Sequence, residues 1–194
     1  MMRPEHDEQP EQGTDDDALS VHVAPMRRRH LRAVLRIETQ VYPRPWTTAL
    51  FASELRLRAT RAYMVARVGR DVVGYAGLMM TGADGHVTTI AVDPRWQRHR
   101  VGTRLLLALA SEARAREAEQ LTLEVRMSNR GAQDLYRRFG FEDAGVRKGY
   151  YADTKEDALI MWSHDIGTEA YAELLASIEH SIRGTTRIER ARRW

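Results

Sequence analysis

The chain has 194 residues, 43% hydrophobic and 29% charged, which suits one soluble domain with extensions and a real core. It has no cysteine, so disulfides, thiolate metal ligands and a cysteine nucleophile are excluded, and its seven histidines show no HExxH or other tight ligand spacing, so no metal is expected. The net charge of +3 conceals an asymmetry: residues 1–18 hold one arginine against seven acids, a net of −6, which leaves +9 on the remainder.

No apolar run approaches the ~20 residues that span a bilayer, and the acidic start lacks the apolar segment of a secretory signal. A cytoplasmic protein without membrane contact is expected. The basic body fits a polyanionic ligand or a ribonucleoprotein target, and fits mere solubility equally well.

Residues 1–19 are polar, acidic and almost free of large apolar groups, and read as a disordered tail. Val21–Ala24 alternates as a short strand that Pro25 ends. Met26–Gln40 places Leu31, Val34, Leu35 and Glu38 at helical spacing. Pro43 and Pro45 forbid helix across Tyr42–Thr47, which becomes a stiff aromatic loop, and Thr47 or Thr48 caps a short helix through Leu57. Ala62–Val68 and Val72–Met80 read as strands joined by a turn at Gly69-Arg70-Asp71, and His86–Val92 as a third strand after the turn Gly82–Gly85. A helix over Thr103–Glu117 carries Leu105, Leu106, Ala108, Leu109 and Ala113 on one stripe. Leu121–Arg126 alternates with a clean period of two. Ser128-Asn129 caps a helix whose stripe is Ala132, Leu135, Tyr136 and Phe139, stopped by Gly140. Phe141–Val146 and Ala158–Asp165 read as the last strands, with a polar loop containing Tyr150-Tyr151 between them. Thr168–Ile182 is a final amphipathic helix, and Arg183–Trp194 a basic tail with five arginines. The pattern is that of a mixed α/β (α+β) layer fold.

The stretch IAVDPRWQRHRVG, Ile90–Gly102, anchors the functional reading. A strand end meets a turn at Asp93-Pro94, and a loop with Arg95, Arg98, His99 and Arg100 runs into a helix start at Gly102. Unpaired N–H groups and the positive dipole end of a helix suit a phosphate, and arginines strengthen that preference. The same residues also fit an ordinary basic corner between strand and helix. Glu124 lies on the polar face of its strand, either solvated or poised at a cleft as a general base, and Arg126 shares that face as its potential partner. Tyr136 lies on a core stripe; at a cleft edge its phenol would instead serve a leaving group. Asn129 is first a helix cap. Tyr42, Trp46, Tyr150 and Tyr151 fall in two predicted loops and read as recognition surface.

Taken together, IAVDPRWQRHRVGTRLL and LTLEVRMSNRGAQDLYRRFGFEDAGVRKGYYADTKEDALIM resemble the GNAT acetyltransferase superfamily. Within it the chain is similar to the ribosomal-protein alanine N-acetyltransferase (RimI) type, over roughly Val21–Ile166. The resemblance implies a GNAT domain over 20–166, followed by a helical extension and basic tail over 167–194. It implies a central mixed, mostly antiparallel sheet flanked by helices and splayed between two parallel strands at the acetyl-CoA site. Ile90, Ala91 and Val92 would line the pantetheine arm. Arg98, His99, Arg100, Val101, Gly102 and Thr103 would wrap the diphosphate of acetyl-CoA, and Asn129 would contact it near its reactive end. Glu124 would accept the proton of the incoming amine through water, and Tyr136 would donate a proton to the departing CoA thiolate. Tyr42, Trp46, Tyr150 and Tyr151 would hold the first residues of an acceptor polypeptide. The implied activity is direct acetyl transfer to a protein N-terminal α-amine, with no metal and no direct nucleic-acid contact. A GNAT enzyme acting on a small amine or lysine, and a non-catalytic acetyl-CoA sensor, are the competing readings.

Two positions depart from the superfamily pattern. Its loop Q/R-x-x-G-x-G/A has Arg100 here where the first glycine belongs, which is costly if that position needs positive φ. Gly149 stands where many relatives carry a larger polar residue.

Overall fold

In LTLEVR the even period becomes strand geometry: Leu121, Leu123 and Val125 are buried, while Thr122, Glu124 and Arg126 stay partly exposed on the opposite face. In the computed structural model, which describes residues 19–189, this strand is β5 (Gln120–Arg126) of an eight-stranded sheet. The others are β1 (Ser20–Pro25), β2 (Arg61–Val68), β3 (Asp71–Thr81), β4 (Asp84–Val92), β6 (Glu142–Tyr151), β7 (Glu156–Ser163) and β8 (Thr185–Ile188). They lie in the order β6-β7-β5-β4-β3-β2-β1-β8, with β4/β5 and β1/β8 parallel and the remaining pairs antiparallel. Helices α1 (Leu31–Val41), α2 (Thr48–Glu54), α3 (Val101–Ala115), α4 (Arg130–Arg138) and α5 (Glu169–His180) flank it. The mixed, mostly antiparallel layer architecture expected from the sequence is the one observed.

The central strands are covered on both faces. From β2, Ala62, Met64 and Ala66 join the core beneath α3, while Tyr63 and Val65 join a second core with Leu31, Val34 and Ile37 of α1 and Phe51 of α2. Two-sided burial explains why AYMVA and VVGYAG read as near-continuous apolar runs. Helix α3 is buried nearly all round, because α5 lays Tyr171, Leu175 and Ile178 into the same core. Leu105, Leu106, Leu107 and Leu109 are each at most 2% exposed, and burial of each contributes about 1.5–3 kcal/mol.

Several boundaries differ from the sequence reading. A 3₁₀ turn at Arg28–His30 precedes α1, so the first helix starts later than expected. Tyr150 and Tyr151 lie in β6 rather than in a loop; that strand runs on irregularly, with the register shifting between Arg147 and Tyr151 and Gly149 at φ 59°. The stretch Thr185–Ile188, expected within a basic tail, pairs in parallel with Ser20–Val23 and closes the sheet edge. Residues 1–18, read as a disordered tail, and residues 190–194 lie outside the described residues.

The feature that positions the site is where β4 and β5 separate. They pair only at Asp84↔Gln120, Gly85↔Leu121 and His86↔Thr122. Beyond that, β4 stays with β3 as far as Val92 and β5 stays with β7 as far as Arg126, so the two strands diverge as the resemblance implied. A bulge accompanies the divergence: Gly77 faces Thr89 and Leu78 faces Val87, leaving Thr88 extra in β4. Gly77 is required there, since a Cβ would stand 2.5 Å from Tyr63 Cε1 and 2.6 Å from Thr88 Oγ1. Gly77→Ala is therefore expected to cost about 1–3 kcal/mol of stability through overpacking, read as a lower urea midpoint at unchanged slope.

Candidate active site

Four of the sequence-predicted residues converge at the opening between β4 and β5. Glu124 is on β5, with its carboxylate held from two sides: Oε1 lies 3.2 Å from Arg147 Nη1 of β6, and Oε2 lies 3.3 Å from His86 Nε2 of β4. Both partners were missed in the sequence, because register across strands, not spacing along one, brings them together. Arg126 does not pair with Glu124 as expected from their shared face. It is drawn instead to Asp153 at 2.8 Å and Glu156 at 3.2 Å, which belong to the β6–β7 turn and the start of β7. Its guanidinium lies 3.9 Å from the centroid of the Tyr151 ring.

Tyr136 is placed by the start of α4. Asn129 caps that helix, its Oδ1 accepting from the Ala132 N–H, and the buried Gln133 amide donates to the Arg126 and Met127 carbonyls at 3.0 Å each. One turn on, the Tyr136 ring packs against Phe141, and its hydroxyl has no hydrogen-bond partner among the described residues. Burial pushes its phenol well above the ordinary value, and the neighbouring phenols of Tyr42 and Tyr151 reinforce the shift. Burial likewise raises Tyr42, and Tyr151 is pushed up to about 12, so the three phenols stay protonated around one space.

The aromatic loop divides its residues. The Tyr42 hydroxyl donates to the Ile90 carbonyl at 3.2 Å and shares a hydrogen bond with the Thr89 hydroxyl at 3.0 Å, which ties the end of α1 to β4 beside the opening. Trp46 turns inward, its ring packing on Phe51 and Tyr63 while its backbone N–H donates to Glu38 Oε1 at 2.9 Å. Glu38 is buried, and burial raises its carboxyl. Tyr150 is exposed, packed edge-on to Tyr151 and beneath Arg147.

The basic loop forms the other end. Asp93, wholly buried, accepts from the Arg95 N–H and pairs with the Arg95 side chain at 2.8 Å, holding the turn after β4. Hydrogen bonds to Arg95 pull its carboxyl below the ordinary range. Arg98 and Arg100 have φ of 69° and 57°, the left-handed region, while the residues beside them keep negative φ. The N–H groups of residues 98–103 find no acceptor among the described residues; the first bond of α3 runs from Arg104 N to Arg100 O. Alternating backbone handedness with a row of free N–H groups is an anion-binding nest that continues into a helix N-terminus. Positive φ at Arg100, the position of the superfamily glycine, costs about 1–2 kcal/mol for a residue with a side chain. The residues present thus fit a diphosphate, and Ile90, Ala91 and Val92 lie on the stretch of β4 that β5 does not pair, leading from it toward Glu124, with the Ile90 carbonyl there taken by Tyr42. Asn129 has its amide oxygen committed to the cap, which leaves its NH₂ group for a ligand. Among the described residues no group of three or more His, Asp or Glu is placed to hold a metal ion, and no helix is long and apolar enough to cross a membrane.

Residues 31–141 match the acetyltransferase (GNAT) family model. The chain is 35% identical over 151 residues to the N-alpha-acetyltransferase RimI of Mycobacterium tuberculosis, covering 75% of this chain and 93% of that protein. It is 33% identical over 141 residues to the ribosomal protein bS18-alanine N-acetyltransferase of Escherichia coli K12, covering 72% of this chain and 94% of the relative. Among solved structures, the ribosomal-protein-S18-alanine N-acetyltransferase from Escherichia coli superposes with a TM-score of 0.68 at 31% identity, covering 75% of this chain and 94% of that one.

The His86 site carries a pH signature. Burial lowers its imidazole, with Arg147 lowering it further and Glu124 opposing both. A depressed histidine contributes stability that is present above its unfolded value of ~6.5 and lost as pH falls. Urea midpoints between about pH 7.5 and 5.5 are expected to fall more steeply for the wild type than for His86→Gln; equal slopes would contradict this placement.

Proposed function

The chain belongs to the GNAT family of acetyltransferases, and we propose that it transfers the acetyl group of acetyl-CoA to the N-terminal α-amine of a protein, the N-terminal alanine of a small-subunit ribosomal protein being the acceptor. The observation that carries this reading is Glu124 at the opening between β4 and β5, with Tyr151 against it, Tyr42 and Tyr136 beside Tyr151, and the anion nest past the end of β4. The name of the Mycobacterium tuberculosis relative supports an α-amine acceptor, and that of the Escherichia coli relative supports the alanine of a ribosomal protein.

The nest of residues 98–103 would hold the diphosphate, and the stretch Ile90–Val92 that β5 leaves unpaired would take the pantetheine arm. When bound, acetyl-CoA supplies an activated thioester carbonyl. An α-amine with a pKa near ~8 arrives largely protonated, so a base must free its lone pair. Glu124 receives that proton through a water, its carboxylate aimed by His86 and Arg147. Tyr136, kept protonated by burial, offers a hydrogen bond where charge builds on the departing sulphur. Full transfer from such a phenol to a thiolate is uphill, since a thiol has a pKa of ~8.5. The ammonium nitrogen gives up two protons on becoming an amide: Glu124 takes the first through water, and the second leaves as the C–S bond breaks and ends on the CoA thiol. Tyr42, Tyr150 and Tyr151 wall the acceptor side, while Trp46 is turned away onto Phe51 and Tyr63. Positioning of amine and thioester supplies much of the remaining rate, and no covalent enzyme intermediate is needed.

Intact-mass analysis tests the acceptor. A peptide with a free N-terminal alanine is expected to gain one acetyl group, and the same peptide N-blocked but carrying lysine is expected to gain none; gain on lysine or on a polyamine overturns the proposal. Glu124→Gln is expected to lower kcat by about 10²–10⁴-fold. Tyr136→Phe should lower kcat at an unchanged melting temperature, because its hydroxyl makes no hydrogen bond among the described residues. Steady-state kinetics beside thermal melts check both.

A further inference from the structure

Arg104 lies in the first turn of α3 and is 1% exposed, although it carries a full charge. Among the described residues its guanidinium reaches in two directions. Nη1 donates to the His99 carbonyl at 2.8 Å, inside the basic loop. Nε donates to the Thr186 hydroxyl at 2.9 Å and Nη2 to the Arg183 carbonyl at 2.6 Å, both in the segment that enters β8. That segment is itself fixed: Thr185 N donates to Leu19 O at 2.9 Å, Glu189 N donates to Val23 O at 2.8 Å, and the strand pairs with β1 between them. Arg183 and Thr186 lie beyond the family match, which ends at residue 141.

His99 stands between the two left-handed arginines, Arg98 and Arg100. The side chain of Arg104 holds the carbonyl before Arg100, and its backbone N–H holds the carbonyl of Arg100 itself. Two consecutive carbonyls of a strained loop are thereby pinned by one residue. Pinned carbonyls fix the peptide planes that point the N–H groups of Arg100 and Val101 outward. A glycine at residue 100 would adopt this shape without penalty; an arginine there needs an external hold.

Resting on the reading of residues 98–103 as the diphosphate seat, we propose that Arg104 is a positioning residue for that seat and acts as a strut against the β8 segment. The affinity of this enzyme for acetyl-CoA is then set in part by residues 183–186, about eighty positions away in sequence. The planar fork is essential to the role: it meets three acceptors in fixed directions, which an ammonium on a flexible stem does not.

The test uses the full chain and titrates CoA calorimetrically, with KM and kcat measured for acetyl-CoA and for S-acetylpantetheine, which lacks the diphosphate. Arg104→Met is expected to weaken CoA binding and raise the acetyl-CoA KM by about tenfold or more, the loss of one charge-assisted hydrogen bond, with saturating kcat nearly unchanged. Arg104→Lys should not restore the affinity. Thr186→Val, which cuts only one bond on the β8 side, should shift KM in the same direction by about two- to fivefold. Adding Arg100→Gly should recover most of the loss in either background, because glycine no longer needs the strut. KM for S-acetylpantetheine should not move. A folded Arg104→Met with wild-type CoA affinity overturns the proposal, and so does a fall in melting temperature and kcat with KM unchanged. If Arg104→Met fails to fold, the Thr186→Val and Arg100→Gly pair decides: no shift, or no recovery, overturns it. Should the wild type take acetyl-CoA and S-acetylpantetheine equally well, the diphosphate seat itself is wrong, whatever the variants do.

Discussion

Two parallel strands that do not stay paired are the condition on which the rest of this molecule depends. After three residue pairs, β4 and β5 part, and each keeps its other neighbour. An unpaired strand edge inside a domain leaves backbone donors and acceptors unsatisfied, which is costly unless something else meets them. Here the opening exposes both a strand edge and the face of β5 that carries Glu124. The bulge at Thr88, tolerated because Gly77 has no side chain, bends β4 away at the right place. A local defect in hydrogen bonding thus opens a space beside the carboxylate of Glu124.

Around that space, charge is arranged by competition. Arg126 stands closer in sequence to Glu124, yet Asp153 and Glu156 take it, and Tyr151 lies beneath its guanidinium. Glu124 is left to His86 and Arg147, one from each side of the opening. The phenols of Tyr42, Tyr136 and Tyr151 are all raised by burial, so they act as hydrogen-bond donors there rather than as anions. Protonated phenols and one aimed carboxylate make a site suited to taking a proton from an amine without a metal ligand set.

The loop at the far end shows how a departure from a family pattern is accommodated. Arg100 occupies a left-handed position that glycine would take freely. The constraint comes from Arg104 beneath the loop, whose anchors lie outside the family match. The C-terminal segment is thereby tied to the basic loop as well as to the sheet edge.

Periodicity and turn chemistry determined most elements: the alternation in LTLEVR, the caps at Thr47 and Asn129, and the stop at Gly140 recur in the structure because they are local in origin. Motif spacing placed Glu124, Tyr136 and the Arg98–Thr103 loop, since strand end, loop and helix start follow one another along the chain. Strand pairing, by contrast, is long-range. Nothing near Arg126 in sequence foretold Asp153, nothing near Glu124 foretold His86 or Arg147, and nothing in a run of arginines foretold that Thr185–Ile188 would find β1. Trp46 and Tyr42, alike in sequence, were sent to different fates by the packing of α1 against α2. The sequence by itself determined which groups exist and which way each faces along its own element; only the tertiary structure decided which of them meet, because register and layer packing join residues that no local rule connects.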